Sequence, residues 1–441
     1  VPPSIRERLD ADGARQLWVV YHDYSGLSHA KTVPPERFDD AIEHGIAFAM
    51  ANMDFNIQDH QVPDVRFGAD TGDFFAVPDG STYAPIPHHP GASRLFAFLH
   101  EPNGQLWSGC PRTALQTVVD RFAARGLQVT AAFEPEFYLL SRTDTGWEPA
   151  DQSRMFTVEG IERHADLIER LMTDLPRMGV VLEQIGAEYG PGQYEINMRY
   201  SSPVKAGDDL NTVKDALRVA ARTFGLLASF MPKPFTDLPG CGLHAHLGLR
   251  DEHGHNAMEG SGPGRMSKIG RQFIAGLLAH APALAGLGAP TVNSYKRLQP
   301  GSWSPAHVCW GTGNRAALVR VPDGGAPHVE YRSGDNTSNP HIYLAGLLAA
   351  GIDGIERSLD PGEPVTSDIG HLDARSVAAM GLRFLPRSAS EALDALERDG
   401  VVMAALGPVI GPTLLRVKRS EIATYDLTVG DWERTAYLET V

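Results

Sequence analysis

The sequence predicts an α+β protein of two unequal domains, on three observations. At 441 residues the chain exceeds what one hydrophobic core usually serves. Its first hundred residues alternate short strand-type apolar runs with turn residues, whereas the remainder mixes such runs with long stretches of helical spacing. A polar Glu101-Pro102-Asn103-Gly104 stretch lies between them and reads as a linker, dividing residues 1–103 from residues 104–441.

In the first part, strands are expected at Leu17 to Tyr21 and Lys31 to Val33, around a turn at Ser25 and Gly26, followed by a helix over Pro35 to His44. Asp54 to His89 is rich in Asp, Pro and Gly and reads as loop, and a further strand runs through Leu95 to Leu99. Beyond the linker, Leu115, Val118, Val119 and Phe122 recur at helical spacing, so Pro111 to Arg125 is a predicted helix with Pro111 in its first turn. Gln128 to Leu140 reads as a strand, Glu162 to Met178 as a helix, and two strands flank the Gly190 to Gly192 turn. Long helices are expected over Asp209 to Phe230 and Ser267 to His280. Asn339 and Pro340 form a cap and first-position pair for an apolar helix reaching about Ile355, and Ser390 is the expected cap of a helix over Glu391 to Arg398.

Composition narrows the function classes. A hydrophobic fraction of 42% and a charged fraction of 21% are ordinary for a globular chain, which excludes a largely disordered one. With 39 Lys and Arg against 54 Asp and Glu, the net charge of -15 repels phosphate and disfavours a nucleic acid partner. The three cysteines, Cys110, Cys241 and Cys309, fit neither a disulfide framework nor a zinc spacing, so a reducing, cytoplasmic setting is expected. Val1 to Asp10 lacks an apolar signal run, and the apolar stretch Phe273 to Pro290 is broken by Pro282 and Gly286, so neither a signal peptide nor a membrane span is expected.

Chemistry concentrates in a few segments. Phe133-Glu134-Pro135-Glu136-Phe137 places two carboxylates on one face of an apolar strand, roughly 7 Å apart by strand geometry. A solvent-facing pair on an edge strand, where Pro135 is tolerated, is the competing reading. Glu188 and Glu195 bracket a turn-prone segment and can meet at one end of a sheet, or can be ordinary hairpin charges. Gly240-Cys241-Gly242-Leu243-His244-Ala245-His246 puts two imidazoles on one strand face after a glycine-rich approach, as metal or phosphate groups or simply as core or surface histidines. Glu330-Tyr331-Arg332, Asn314-Arg315, Arg320 and Tyr295-Lys296-Arg297 add guanidinium groups suited to forked contacts with carboxylate or phosphate oxygens. Five acids, a histidine and several arginines suit phosphoryl transfer with Mg2+ or Mn2+ held by oxygen ligands. No glycine-rich phosphate loop of the usual kinds occurs, so metals and arginines would have to hold the nucleotide.

The order Glu-x-Glu, Glu-(x6)-Glu, Gly-x-Gly-x-His-x-His, Asn-Ser-Tyr-Lys-Arg, Asn-Arg, Arg-Val-Pro and Glu-x-Arg, spread from about Leu17 to Ile355, resembles the glutamine synthetase family. The resemblance implies a small N-terminal β-grasp domain and a larger catalytic domain with a funnel-like antiparallel sheet. It also implies a homo-oligomer of stacked rings, a homododecamer, with each site completed by a neighbour's N-terminal domain. It assigns Glu136, Glu188 and Glu195 to one metal and Glu134, His244 and Glu330 to a second that holds ATP phosphates. Gly240 and Arg297 match groups on the glutamate backbone, Arg332 the arginine near the γ-carboxylate, Arg315 and Arg320 those on the phosphoryl groups, and His246 a contact near adenine. The implied chemistry is ATP-dependent activation of glutamate as an acyl-phosphate, followed by attack of an amine.

The chain departs from the family pattern where the amine would sit. An Asp that holds ammonium in ammonia-using members falls in a stretch that reads Phe48-Ala49-Met50-Ala51-Asn52 here. A Glu that usually closes the site is replaced by Trp303 within Pro300-Gly301-Ser302-Trp303-Ser304-Pro305. Pro239 stands where Asn is usual, and His328 where a phosphate-contacting Arg is common. Losing two anions removes the electrostatic reason to concentrate a small cation, and an indole offers an apolar wall. The expectation is therefore a γ-glutamyl-amine ligase, with an ammonia-using glutamine synthetase or a catalytically silent member as alternatives, and with a core anchor as the bland role for Trp303.

Overall fold

The computed structural model describes residues 4–441 and is built on two sheets. Strands β1 (Gln16–His22), β2 (Ser28–Val33), β3 (Ile46–Ala49), β4 (Asp73–Pro78), β5 (Ala84–Pro85) and β6 (Ala92–His100) form the first, ordered β2-β1-β6-β4-β3 with β5 beside β6. The first and last strands pair in parallel and the other pairs are antiparallel. With the helix Phe38–His44 packed on β4, this is the β-grasp arrangement. The reading of Asp54 to His89 as loop is corrected by β4: Phe74 and Ala76 alternate inward within a Pro- and Gly-rich surround, and the strand exists because β3 and β6 supply its partners.

The second sheet comprises β7 (Gln128–Thr143), β8 (Gly146–Pro149), β9 (Leu182–Ala187), β10 (Gln193–Met198), β11 (Leu227–Ser229), β12 (Leu243–Arg250), β13 (Trp310–Thr312), β14 (Val319–Val321) and β15 (Val329–Tyr331). Its order is β13-β14-β15-β12-β7-β10-β9, with β8 and β11 on the far end of β7, and only β13 and β14 run parallel. β7 is therefore central, which rules out an edge strand for Glu134 and Glu136. Pro135 is tolerated there for a local reason. The Glu136 N–H donates to Gly242 on the β12 side at 3.0 Å, so the Pro135 nitrogen faces β10, whose pairing stops at Glu195 and resumes only in the Ala131–Ser201 bridge.

Three helix readings shift. The helix expected over Asp209 to Phe230 runs Pro203–Thr223, because Ser202-Pro203 is the start signal and Gly225, at φ 73°, turns the chain into β11. Glu162 to Met178 divides into Val158–Arg163 and Ala165–Arg177 at His164, whose ring faces Asp151. Ser388, not Ser390, caps Ala389–Arg398, its Oγ accepting from the Glu391 N–H at 3.2 Å.

The buried helix Pro340–Glu356, capped by Asn339, sits against Lys268–Ala279 at glycine contacts so close that a Cβ on Gly354 would lie 2.1 Å from the Gln272 carbonyl. Within the span Gly400–Tyr437, an 18-residue stretch of mean hydropathy 1.6 is long and apolar enough to cross a membrane. Half of it is buried in this fold, with Val402, Leu406, Ile410 and Leu414 in the core, and Gly407, Pro408 and Pro412 interrupt it. Ion pairs tie the first sheet to the rest: Arg112 bridges Asp79 and Asp208 at 2.9 and 2.8 Å, and Arg416 meets buried Asp54 at 2.7 Å.

Candidate active site

Strand register gathers the site. Glu134 lies opposite His244, Glu136 opposite Glu195, and Glu330 opposite both His246 and Arg320, and directly opposed residues share a sheet face. Glu188 joins them from the end of β9, through the turn that leads into β10. Residues spread over nearly two hundred positions thus converge on one face of five adjacent strands, β14, β15, β12, β7 and β10.

The contacts are close. His244 Nδ1 lies 3.2 Å from Glu134 Oε2 and 3.4 Å from Glu330 Oε1, while its Nε2 lies 3.9 Å from Glu136 Oε1. His246 Nε2 lies 3.2 Å from the same Glu134 oxygen. Two groups of ligand atoms have metal-binding spacing: Glu134, Glu195 and His244, and Glu134, His246 and Glu330. This grouping differs from the one the resemblance implied, since Glu134 belongs to both sets and His246, matched to adenine, reaches a carboxylate. Its other ring nitrogen lies 3.1 Å from His328 Nε2, and both histidines line a hollow of about 460 Å³ with Phe133, Tyr200 and Arg250.

Electrostatics separate the acids into two kinds. Burial opposes ionisation of Glu330, yet Arg332, His244 and His246 hold it at about 2. Glu134, likewise buried, is held well below the usual carboxylate range by His244 and His246. Glu195 has no such partners: burial, then Glu134, Glu136 and Glu188, push it up to about 10. Burial and Glu136 raise Glu188 to about 7. Neighbouring carboxylates that resist ionising together lack positive charge, and ligand groups of two carboxylates with one imidazole suit a divalent cation.

The arginines fall into distinct environments. Arg332 pairs with Glu330 Oε1 and donates to the Arg315 carbonyl at 3.1 Å, and Arg320 Nη1 lies 2.8 Å from Glu330 Oε2. The Arg315 side chain is exposed and makes no ion pair among the described residues. Arg297 is buried beneath Gly242 and donates to the carbonyls of Arg332, Ser333 and Gly334, so in this state its Nη donors bind protein oxygens. Gly240 lies against the Arg297 stem, and its carbonyl accepts from Gln193 Nε2 at 3.0 Å.

Trp303 is not a core anchor. It is 59% exposed, has φ 58° in the left-handed region that bulky residues avoid, and faces the exposed ring of Tyr189 with centroids 6.0 Å apart. Ala49 ends β3, and Met50 opens the 3-10 turn that follows it.

Sequence reasoning missed three residues. Gln193 Nε2 reaches Glu136 Oε2 at 3.4 Å, Asn197 Nδ2 donates to Glu134 Oε1, and Tyr189 follows Glu188. Gln193, Glu195 and Asn197 alternate along β10, so the period of two that joined Glu134 to Glu136 would have found the first two.

Comparison with known proteins agrees with this arrangement. Residues 108–437 match the family model described as the glutamine synthetase catalytic domain. A protein named glutamate--methylamine ligase, from Methyloversatilis universalis, is 34% identical over 99% of both chains. A glutamine synthetase from Halobacterium salinarum is 33% identical over 99% of this chain and 96% of its own. A solved structure described as "GmaS/ADP complex-Conformation 1" superposes with a TM-score of 0.90 at 30% identity, covering 99% of each chain. With the motif order, the two-sheet fold and these near full-length matches in agreement, the chain belongs to the glutamine synthetase family.

Proposed function

We propose that this protein joins the γ-carboxylate of glutamate to a primary organic amine, using ATP and releasing ADP and phosphate. The observation that carries the choice of amine is Trp303: where the family pattern has an anion, an exposed indole faces Tyr189 and leaves an apolar wall. The protein named as a methylamine ligase supports this reading, and glutamine synthetases at similar identity keep ammonia as the second reading.

A carboxylate is a poor electrophile, because its leaving group would be oxide. In the proposed reaction a γ-carboxylate oxygen attacks the terminal phosphorus of ATP, ADP leaves, and γ-glutamyl phosphate results. The amine nitrogen then attacks the acyl carbon, phosphate leaves, and the nitrogen gives up a proton. Following the family resemblance, Glu136, Glu188 and Glu195, and Glu134, His244 and Glu330, would hold two divalent cations, Mg2+ or Mn2+, which when bound neutralise phosphate oxygens and polarise the transferring group; the two ligand-atom groups of the fold, Glu134, Glu195 and His244, and Glu134, His246 and Glu330, support cation binding on this face. The hollow over β7 and β12, lined by Phe133, Tyr200, His246, Arg250 and His328, would take the nucleotide. Arg315 and Arg320 would face the moving phosphoryl group and Arg332 the γ-carboxylate, adding fixed positive charge where negative charge develops. Gly240 and Arg297 would hold the amino-acid end of glutamate, and Trp303 would wall the amine site. Stacked rings whose sites draw on a neighbour's N-terminal domain complete the proposal.

Release of ADP is measured across ammonia, alkylamines and arylamines, with products identified by mass. At least one organic amine is expected to exceed ammonia in kcat/KM, and Trp303→Glu is expected to move the ratio toward ammonia by about tenfold. Ammonia matching or exceeding every organic amine would establish the second reading.

A further inference from the structure

The hairpin carrying Glu188 and Glu195 needs an anchor, because it brings two acids toward Glu134 and Glu136 in a buried place where like charges repel. Its turn, Tyr189-Gly190-Pro191-Gly192, contains two glycines and resists displacement poorly by itself. Two side chains grip it. Gln193 turns back so that its Oε1 accepts from the Gly190 N–H at 2.9 Å. The second is Asp151, which follows β8 and is remote in sequence from the turn.

Asp151 is 8% exposed, and its two oxygens meet five donor groups. Oδ1 accepts from the Ser153 N–H at 2.8 Å, the Ser153 hydroxyl at 2.5 Å and the Gly192 N–H at 3.2 Å. Oδ2 lies 3.1 Å from His164 Nε2 and 3.2 Å from the Tyr194 hydroxyl, whose one proton is shared with the nearer Gly160 carbonyl at 2.5 Å. Gly192, in the turn, and Tyr194, in β10, are thereby tied through one carboxylate to the loop after β8 and to the helix break at His164. The fit is tight: a Cβ on Gly192 would lie 3.0 Å from the Leu139 carbonyl and 3.1 Å from the Ala150 nitrogen, and one on Gly190 would lie 2.4 Å from the Tyr138 hydroxyl.

We propose that Asp151 is a positioning residue that fixes the β9–β10 hairpin, and through it Glu188 and Glu195, in register for binding a divalent cation. It touches neither cation nor substrate and acts by fixing Gly192 and Tyr194. The proposal rests on the reading of Glu188 and Glu195 as metal ligands. Groups that orient ligands from behind commonly change metal affinity by about 10–100-fold when removed.

The test titrates Mn2+ into the full-length, metal-free protein by calorimetry, with Glu188→Gln and Glu330→Gln identifying which binding event belongs to which set. In Asp151→Leu, which removes the acceptor at similar size, Mn2+ affinity of the Glu188 set is expected to fall about tenfold or more while the other set is unchanged. Asp151→Asn keeps one acceptor oxygen for Gly192 and is expected to recover most of that affinity. Wild-type affinity at both sets in a folded Asp151→Leu protein overturns the proposal. So does an equal loss at both sets with a lowered Tm, which marks a general scaffold residue. Should Asp151→Leu fail to fold, Ser153→Ala removes one hydroxyl from Asp151, and Tyr194→Phe removes a hydroxyl from both Asp151 and the Gly160 carbonyl: a selective weakening of the Glu188 set supports the proposal, and no change overturns it. If Glu188→Gln itself leaves Mn2+ binding unaltered, the ligand reading fails and the positioning proposal falls with it, an outcome separate from the others.

Discussion

The proposed cation site should hold protons when it is metal-free, and their number can be worked out. Glu195 is raised to about 10 and Glu188 to about 7, against an ordinary 4.5. At pH 7.5 the metal-free cluster therefore holds about one proton at Glu195 and about a quarter of one at Glu188, shared among the acids. Binding requires the carboxylates ionised, so saturation with Mn2+ should release about one proton per site at that pH, and more at pH 7. Calorimetric titrations in two buffers of unlike ionisation enthalpy read this number directly from the difference in apparent heat. Glu195→Gln should abolish most of the release. The linkage has a second consequence. Native Glu188 and Glu195 bind protons that the unfolded chain has already lost above about pH 4.5, so stability of the metal-free protein falls as pH rises through 7 toward 10. Saturating Mn2+ reverses this, and the gain in Tm on adding metal should grow with pH. Identical heats in both buffers, or a gain in Tm that shrinks with pH, would refute the reasoning.

Three further outcomes are expected. Asn197→Ala removes the amide that holds Glu134 Oε1 and should weaken Mn2+ binding about tenfold by calorimetry without loss of the fold. Asp208→Ala leaves the buried Arg112 guanidinium with Asp79 as its one remaining carboxylate and takes the Asp208 oxygen from buried His341, and should cost about 2–3 kcal/mol in denaturant unfolding. Gly354→Ala forces a methyl to within 2.1 Å of the Gln272 carbonyl, pushing two core helices apart, and should lower stability by about 1–3 kcal/mol, visible as a reduced Tm.

Local signals carried the reading where the chain supplies its own evidence. Pro111, Ser267 and Asn339-Pro340 mark helix starts that the structure reproduces, because capping depends on neighbouring residues alone. Failures occurred where the deciding partner is distant in sequence. β4 lies in loop-like composition and is a strand because β3 and β6 flank it. The cap at Ser388, by contrast, was missed although its signal is local: Glu391 lies three residues on and its N–H donates to the Ser388 hydroxyl, whereas Leu393 stands at that spacing from Ser390.

The candidate site follows the same division. Residue types and the period of two along β7, β10 and β12 were readable, as was the motif order that carries the family, because these are properties of adjacent positions. Register was not: that Glu134 meets His244 and His246 together, that Arg297 is engaged by backbone carbonyls, and that Trp303 is exposed beside Tyr189 all depend on pairings across the sheet and its loops. The sequence by itself determined which charges are present and which family they belong to. Only the tertiary structure decided how those charges share protons and cations, because electrostatic energy depends on separation and burial, and both are set by contacts between segments far apart in the chain.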